Sequence, residues 1–356
     1  MTNSLNNPGG VRPIRRPTLS DIAREAGVSV GTASAILAGK TKERRISQDL
    51  AARVQQIASD LDYAPNLLVR SMQRGRTHMM SFFNGFRSRE RRDYYLDALT
   101  TAIERSAGAM GYDIAVYCDF RRSVDETYQY LNGGRSDGLI FFTPQVRDPL
   151  LPHLRKSRLP VVLLNAVDEE GVLSSVKEDW HSGLRSAAEA LVALGHTRIA
   201  AFTTDQFINP DATERVSTLR RSLSELGVDI PDRRVIPVND HSLETSRLAL
   251  EALLAEPDAP TALFCWHDRT GYLVLEACDK LGISVPKDLS LIGYDGMRWP
   301  ARTRHVLASV IGDLDEMGEA AVEVLDQLVD SPDDAPINRV LPAIFDAGTT
   351  LAAPRQ

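Results

Sequence analysis

Cysteine is scarce in this chain: Cys118, Cys265 and Cys278 are the only three in 356 residues, widely spaced and set in apolar or helical surroundings. Such thiols exclude a disulfide framework, and with the seven histidines they make no metal-ligand spacing, so no metal is expected. Also missing are a G-x-G-x-x-G after a strand, a Walker A loop and a nucleophile elbow, so no cofactor and no enzyme activity are expected. Cys265, His267 and Asp268 lie close in sequence. In a strand, however, the first two would point one way and Asp268 the other, which gives no relay. No apolar run reaches the length of a membrane span, and residues 1–16 hold no apolar signal segment, so a cytoplasmic protein is expected.

What is present is an uneven distribution of charge. The chain carries −7 in total, yet residues 1–78 hold 12 Lys/Arg against 6 Asp/Glu, and the remainder holds 29 against 42. A basic head suits contact with phosphates, and an acidic body stays away from them. A length of 356 residues implies two or three domains.

The head has the pattern of a helix-turn-helix. Thr18 caps a first helix with Asp21 at the capping-box position, and Leu19, Ile22, Ala23 and Ala26 form one apolar face. Gly27 ends that helix by taking the left-handed conformation. Ser29 caps a second helix, in which Ala33, Ile36 and Leu37 turn inward. Val30, Gly31, Thr32, Ser34 and Ala35 are left facing out, small enough to approach base edges and phosphates. A third helix, capped by Ser47, carries Leu50, Val54, Ile57 and Leu61 as its core stripe. The basic loop Lys40 to Arg45 precedes it.

These residues resemble the lactose-repressor (LacI/GalR) family of transcription regulators through Thr18-Leu-Ser-Asp-Ile-Ala-Arg-Glu-Ala-Gly-Val-Ser-Val-Gly-Thr-Ala-Ser34. The likeness continues in Tyr63-Ala-Pro-Asn66, the entry to a hinge. It implies paired hinge helices that push an apolar side chain, here Met72, into the minor groove at the operator centre. The operator-contacting set it implies is Thr18, Ser29, Val30, Gly31, Thr32, Ser34, Ala35, Arg45, Ser47, Asn66, Val69, Arg70 and Met72. The loop before the third helix is longer than in the lactose repressor and is similar to that of fructose- and sucrose-type repressors. At Ala35 many members carry a longer polar residue, so the operator sequence does not transfer.

From Met79 onward, short apolar runs alternate with amphipathic helices, the pattern of parallel sheets with crossover helices. Strands are expected at Met79–Asn84, Ile114–Cys118, Gly138–Phe142, Val161–Asn165, Ile199–Thr203, Ala262–Trp266 and Ser290–Tyr294. Helices are expected at Tyr94–Met110, His181–Leu194, Glu214–Leu226, Leu243–Ala255 and Gly271–Leu281. The resemblance persists in Leu194-Gly-His-Thr-Arg-Ile199 and in Val285-Pro-Lys-Asp-Leu-Ser-Leu-Ile-Gly-Tyr-Asp295. It implies an all-α helix-turn-helix head plus hinge helix, joined to an α/β two-lobed periplasmic-binding-protein-like core with parallel sheets. The expected division is a tail at 1–16, the helix-turn-helix at 17–63, the hinge at 64–78 and the core at 79–356. Lobe 1 would take 79–178 and 312–337, and lobe 2 would take 179–311 and 338–356.

Effector contacts implied by the family are Asn165 at a strand end, Arg215 before a second-lobe helix, Asp268, Asp295, and His241 where the lactose repressor stacks an aromatic. Trp180 and Trp266 lie near strand ends, where an aromatic face suits a sugar ring, and so does Trp299. The run Phe83-Asn-Gly-Phe-Arg-Ser-Arg-Glu-Arg-Arg92 is unusual for a sugar cleft. It reads either as a solvated loop or as a grip for an anionic effector through Arg87 or Arg89. The expected protein is a repressor-type regulator, a homodimer with a tetramer as the alternative. It would bind pseudo-palindromic operator DNA under control of a small-molecule effector, a sugar or sugar derivative, with no membrane partner. Two alternatives stay open: a solute-binding receptor, and a regulator that responds to a nucleobase or other non-sugar metabolite.

Overall fold

The computed structural model describes residues 17–65, 71, 75–86, 93–117, 121–142, 148–204, 210–239 and 241–355. The chain divides into two compact units, Met1–Thr77 and His78–Gln356.

The first unit contains α1 Leu19–Ala26, α2 Val30–Leu37 and α3 Gln48–Asp60. The expected caps are all present. The Thr18 backbone N–H and hydroxyl both donate to Asp21 Oδ2, and the Thr18 hydroxyl accepts from the Asp21 N–H. Gly27 sits at φ 67° and ends α1, with the Val28 N–H donating to the Ala23 carbonyl at 2.9 Å. Ile22, Ala23, Ala26, Ala33, Ile36 and Val54 make the small core of this unit.

The second unit begins with β1 Met79–Asn84, α4 Tyr94–Ala109, β2 Asp113–Tyr117, α5 Val124–Leu131, β3 Gly138–Phe142, α6 Leu151–Leu154 and β4 Val161–Leu164. It continues with β5 Ser174–Asp179, α7 Trp180–Ala193, β6 Ile199–Thr203, α8 Pro210–Glu225, β7 Val235–Pro237 and α9 Leu243–Leu254. It ends with β8 Ala262–Cys265, α10 Asp268–Leu281, β9 Ser290–Tyr294, β10 Ala308–Gly312, α11 Leu314–Asp330 and β11 Asn338–Asp346.

The strand order is β2-β1-β3-β4-β5-β11-β10-β9-β8-β6-β7. Every pairing is parallel except that of β10 with β11. Each expected strand is present within one residue of its bounds. β5, β7, β10 and β11 were not expected. Three of these four are where the chain passes between the lobes: β5 leads into α7, β10 leads into α11, and β11 belongs to both sheets. Residues 338–342 pair with β5, whereas 343–346 pair with β10. The last crossing therefore lies inside a strand, at Pro342–Ala343, and the expected boundary before residue 338 is displaced. Proline suits this junction because it has no N–H to place in either ladder.

Lobe 1 packs α4 and α11 on its sheet through Met80, Leu99, Ile103, Met317 and Leu325. Lobe 2 packs α7 and α8 through Leu184, Leu191, Leu219 and Phe264. In such open parallel sheets the crevice for a ligand lies beyond the carboxyl ends of the strands. Asn165 follows β4, Trp266 follows β8, Asp295 follows β9, and Glu178 is near the end of β5. No described helix is long and apolar enough to cross a membrane.

Candidate functional site

Two sites are built by these elements, one on each unit. On the first, Ser29 caps α2: its hydroxyl accepts the Thr32 N–H at 3.1 Å and lies 2.8 Å from the Thr32 hydroxyl. The first turn of α2 is open, with Val30 46% exposed, Gly31 exposed, and Thr32 and Ser34 half-buried. An N-terminal turn with small side chains and outward N–H groups suits close approach to a phosphate or a base edge.

Ala35 corrects the expectation. It is only 7% exposed and belongs to the inner side of α2. The helix Val-Gly-Thr-Ala-Ser-Ala-Ile-Leu is apolar or small around most of its circumference, so periodicity alone did not define its outer face. Lys40, Lys42, Arg44 and Arg45 are exposed in the loop before α3, with Arg45 at φ 51°. The Ser47 hydroxyl accepts the Leu50 N–H at 3.4 Å, and Thr18 is occupied by its capping box. Asn66, Val69, Arg70 and Met72 lie outside the described residues, as do Arg87, Arg89 and Cys118.

The second site is a cleft between the lobes, lined by Asn165, Glu178, Trp180, Asp211, Glu214, Arg215 and Tyr294. Arg215 is its anchor. The family likeness implied a position before a second-lobe helix, whereas Arg215 lies inside α8, which starts at Pro210. Its Nη1 donates to the Trp266 carbonyl at 3.1 Å and pairs with Asp295 Oδ1 at 3.1 Å. The guanidinium also lies 3.7 Å above the centre of the Tyr294 ring. Asp295 holds φ 104°, a strained value for a non-glycine residue, which sets its carboxylate against that guanidinium.

Asn165, at φ 55°, donates from Nδ2 to the Tyr95 hydroxyl at 2.7 Å. Its buried Oδ1 has no hydrogen-bond partner, and neither has the buried Trp180 Nε1. Both residues line the cavity.

Three expected effector contacts fall elsewhere. Asp268 is 2% exposed and consumed internally: its Oδ1 accepts the Ser309 hydroxyl at 2.7 Å and its Oδ2 accepts the Met297 N–H at 2.5 Å. Burial pushes its carboxyl well above the usual range. It ties α10 to the strand end next door instead of lining the cavity. His241 faces Arg269, whose Nη1 lies 2.9 Å from Nδ1. Trp266 is 5% exposed, stacks on His267 at 3.8 Å, and offers Arg215 its carbonyl rather than offering a ligand its ring. Trp299 instead meets Tyr94 of lobe 1 edge-on at 4.7 Å. Nor does β8 extend to His267 and Asp268, because His267 caps α10 by accepting the Thr270 N–H at 3.1 Å.

Sequence reading missed Glu178, Asp211, Glu214 and Tyr294. Glu178 lies in a polar run, Ser-Ser-Val-Lys-Glu-Asp, that carries no strand signal. Asp211 and Glu214 read as ordinary acids in a first helical turn. The space for Glu178 is reserved by Gly312, where a Cβ would come within 2.0 Å of Oε1. Only the fold brings these two residues together.

Burial raises the Glu178 carboxyl to about 7, with Arg215 opposing and Asp295 adding to the shift. Asp211 is likewise raised to about 6 by burial. For Glu178 the unfolded value is 4.5 and the folded one is higher, so folding takes up a proton between them. Stability then falls as pH rises from below 4.5 through about 7, and the loss levels off above that. Burying the ionised form costs roughly 3 kcal/mol on this basis. Glu178→Gln is expected to match the parent below pH 4.5 and to be more stable by that order at about pH 8, as read by denaturant melts.

Likeness to known proteins extends over both units. Residues 18–66 match the bacterial regulatory proteins, lacI family, and residues 188–350 match the periplasmic binding protein-like domain. Catabolite control protein A of Priestia megaterium is 28% identical over 313 residues, covering 86% of this chain and 91% of its own. The ribose operon repressor of Escherichia coli is 27% identical over 319 residues, covering 88% and 94%. In fold, the lac repressor dimer bound to operator and the anti-inducer ONPF superposes with a TM-score of 0.78 at 23% identity, covering 95% of this chain and all of that one. The chain thus carries a lacI-family regulatory head at residues 18–66 and a periplasmic binding protein-like domain at residues 188–350.

Proposed function

We propose that two copies of this chain bind a pseudo-palindromic operator as a repressor, and that a sugar or sugar derivative held by the inter-lobe cavity sets the operator affinity. The observation that carries this reading is the presence, in one chain, of an exposed capped helix start beside a basic loop and of a cleft between two lobes with charged and aromatic residues in its wall. Two-fold symmetry in the protein would be mirrored in the two halves of the site. Val30, Gly31, Thr32 and Ser34 would face the major groove, and Lys40, Lys42, Arg44 and Arg45 would face phosphates. Met72 would supply the wedge at the operator centre.

In the cavity, Asn165, Trp180 and Arg215 would contact the effector, with Asp295 and Trp266 behind them fixing the guanidinium. The name of one relative, a ribose operon repressor, supports a sugar-linked role. Effector control requires unequal binding to two lobe arrangements, and the three chain crossings give the lobes a means to move against each other.

Selection of DNA from a random pool by the full-length protein tests the reading. Recovery of an inverted repeat is expected, whereas a single unrepeated motif, or no enrichment, would contradict the dimeric operator.

A further inference from the structure

Residues 296–299 follow β9 and so belong to lobe 2, yet they reach lobe 1. Their base is held firmly. Gly296 takes φ 70°, where a Cβ would come within 2.7 Å of the Ile311 side chain, and its N–H donates to the Ser309 hydroxyl at 3.2 Å. The Met297 N–H donates to Asp268 Oδ2 at 2.5 Å, and the Ser309 hydroxyl donates to Asp268 Oδ1 at 2.7 Å. Asp268 and Ser309 are each 2% exposed.

The tip rests on lobe 1 through apolar side chains. Met297 packs against the lobe 1 cluster of Leu99, Ile103 and Met317, and the Trp299 ring meets Tyr94 edge-on at 4.7 Å. On the lobe 2 side, the Arg269 guanidinium lies 4.7 Å over Trp299, which packs against the cluster of Phe202, Leu263 and Leu289. Tyr94 and Tyr95 open α4. The Tyr95 hydroxyl accepts from Asn165, a wall residue of the cleft, so one helical turn both seats the tip and touches the cleft.

Hydrogen bonds between buried groups are costly to break, whereas an edge-on ring pair adds only a small increment to burial. A segment fixed at its base and resting on the opposite lobe by two side chains is therefore built to release at its tip. We propose that residues 296–299 form a clasp, anchored on lobe 2 by Asp268, whose Trp299–Tyr94 contact favours the closed arrangement of the lobes. A contact present in only one arrangement shifts the equilibrium toward it, and here Asp268 acts by positioning the clasp rather than by touching a ligand.

Quenching of tryptophan fluorescence by acrylamide tests this on the full chain with no ligand added. Trp180 lines the cleft, and in a Trp266→Phe/Trp299→Phe background it is the only tryptophan left of three. Phenylalanine at 299 keeps an aromatic edge. Alanine there, with Trp266→Phe retained, is expected to raise the Trp180 quenching constant about twofold or more, and Tyr94→Ala in the phenylalanine background should do the same. Each variant should keep one cooperative denaturant transition. Tyr94→Leu, which keeps bulk without the ring, is read in place of an alanine variant that loses it.

An unchanged constant in both variants overturns the proposal. So does a rise with Trp299→Ala alone, since that confines the effect to lobe 2. Operator affinity separates the clasp from the coupling proposed above: Trp180 uncovered in Tyr94→Ala with operator affinity unchanged would keep the clasp and remove its link to DNA.

Discussion

Met72→Asp is expected to abolish specific operator binding, by about 100-fold or more in affinity at a fixed salt concentration, while ligand affinity in the core stays as it was. A loss of that size corresponds to roughly 2.7 kcal/mol, within reach of a single wedge that must unstack a base step. A carboxylate cannot fill the gap between bases, and it would meet the phosphates with like charge. Leucine at the same position should preserve binding, since the requirement is an apolar volume. Fluorescence anisotropy with the selected operator measures both variants. Because backbone attraction does not depend on the wedge, non-specific binding in low salt should fall much less. Unchanged specific affinity in Met72→Asp would remove the hinge assignment.

Arg215→Met is expected to be the most damaging single change in the core. It leaves Asp295, whose side chain is 14% exposed, without the cation 3.1 Å away, and it strips the Trp266 carbonyl and the Tyr294 face of their partner. Breaking a buried pair from one side costs about 3–5 kcal/mol, and protonation of Asp295, whose carboxyl burial already raises, limits the cost to the lower end. Effector binding should be lost with it. The double variant Arg215→Met/Asp295→Asn is expected to recover much of the stability but none of the binding, which separates the role in folding from the role in recognition. Denaturant melts read the first effect and calorimetry with the bound ligand reads the second. A single variant as stable as the parent would mean that the pair is not the anchor of the cavity.

How far the sequence foretold these features depended on the kind of signal. The head was legible almost throughout, because capping and turn chemistry act locally: Thr18 with Asp21, Gly27 in the left-handed region, and Ser29 and Ser47 at helix starts. Only Ala35 was misplaced, in a helix too uniformly small and apolar to mark its own inner face. Buried parallel strands such as Gly138–Phe142 were equally legible as short apolar runs. The crossing strands were not. β11 contains Pro342 and alternates exposed and buried residues, and β5 is polar along most of its length, so neither resembles a central strand until both lobes are present.

The same distinction holds in the cavity. Asn165 and Arg215 were expected and do line it, and Asp295 braces Arg215 from behind. Asp268 and His241 carry the right chemistry but spend it on Ser309, Met297 and Arg269. Glu178 becomes a wall residue only because Gly312, far along the chain, leaves room for its carboxylate. Such dependence on a distant glycine has no local signature.

The central claim is that occupancy of the inter-lobe cavity and affinity for operator DNA are coupled. The most direct test is the dissociation constant of the full-length protein for its selected operator duplex, at one stated salt concentration, with and without a saturating ligand of the cavity. The account predicts a change of at least about fivefold, the size of an ordinary coupling free energy, and its loss in Trp180→Ala. Operator affinity that stays the same with the cavity filled would contradict it.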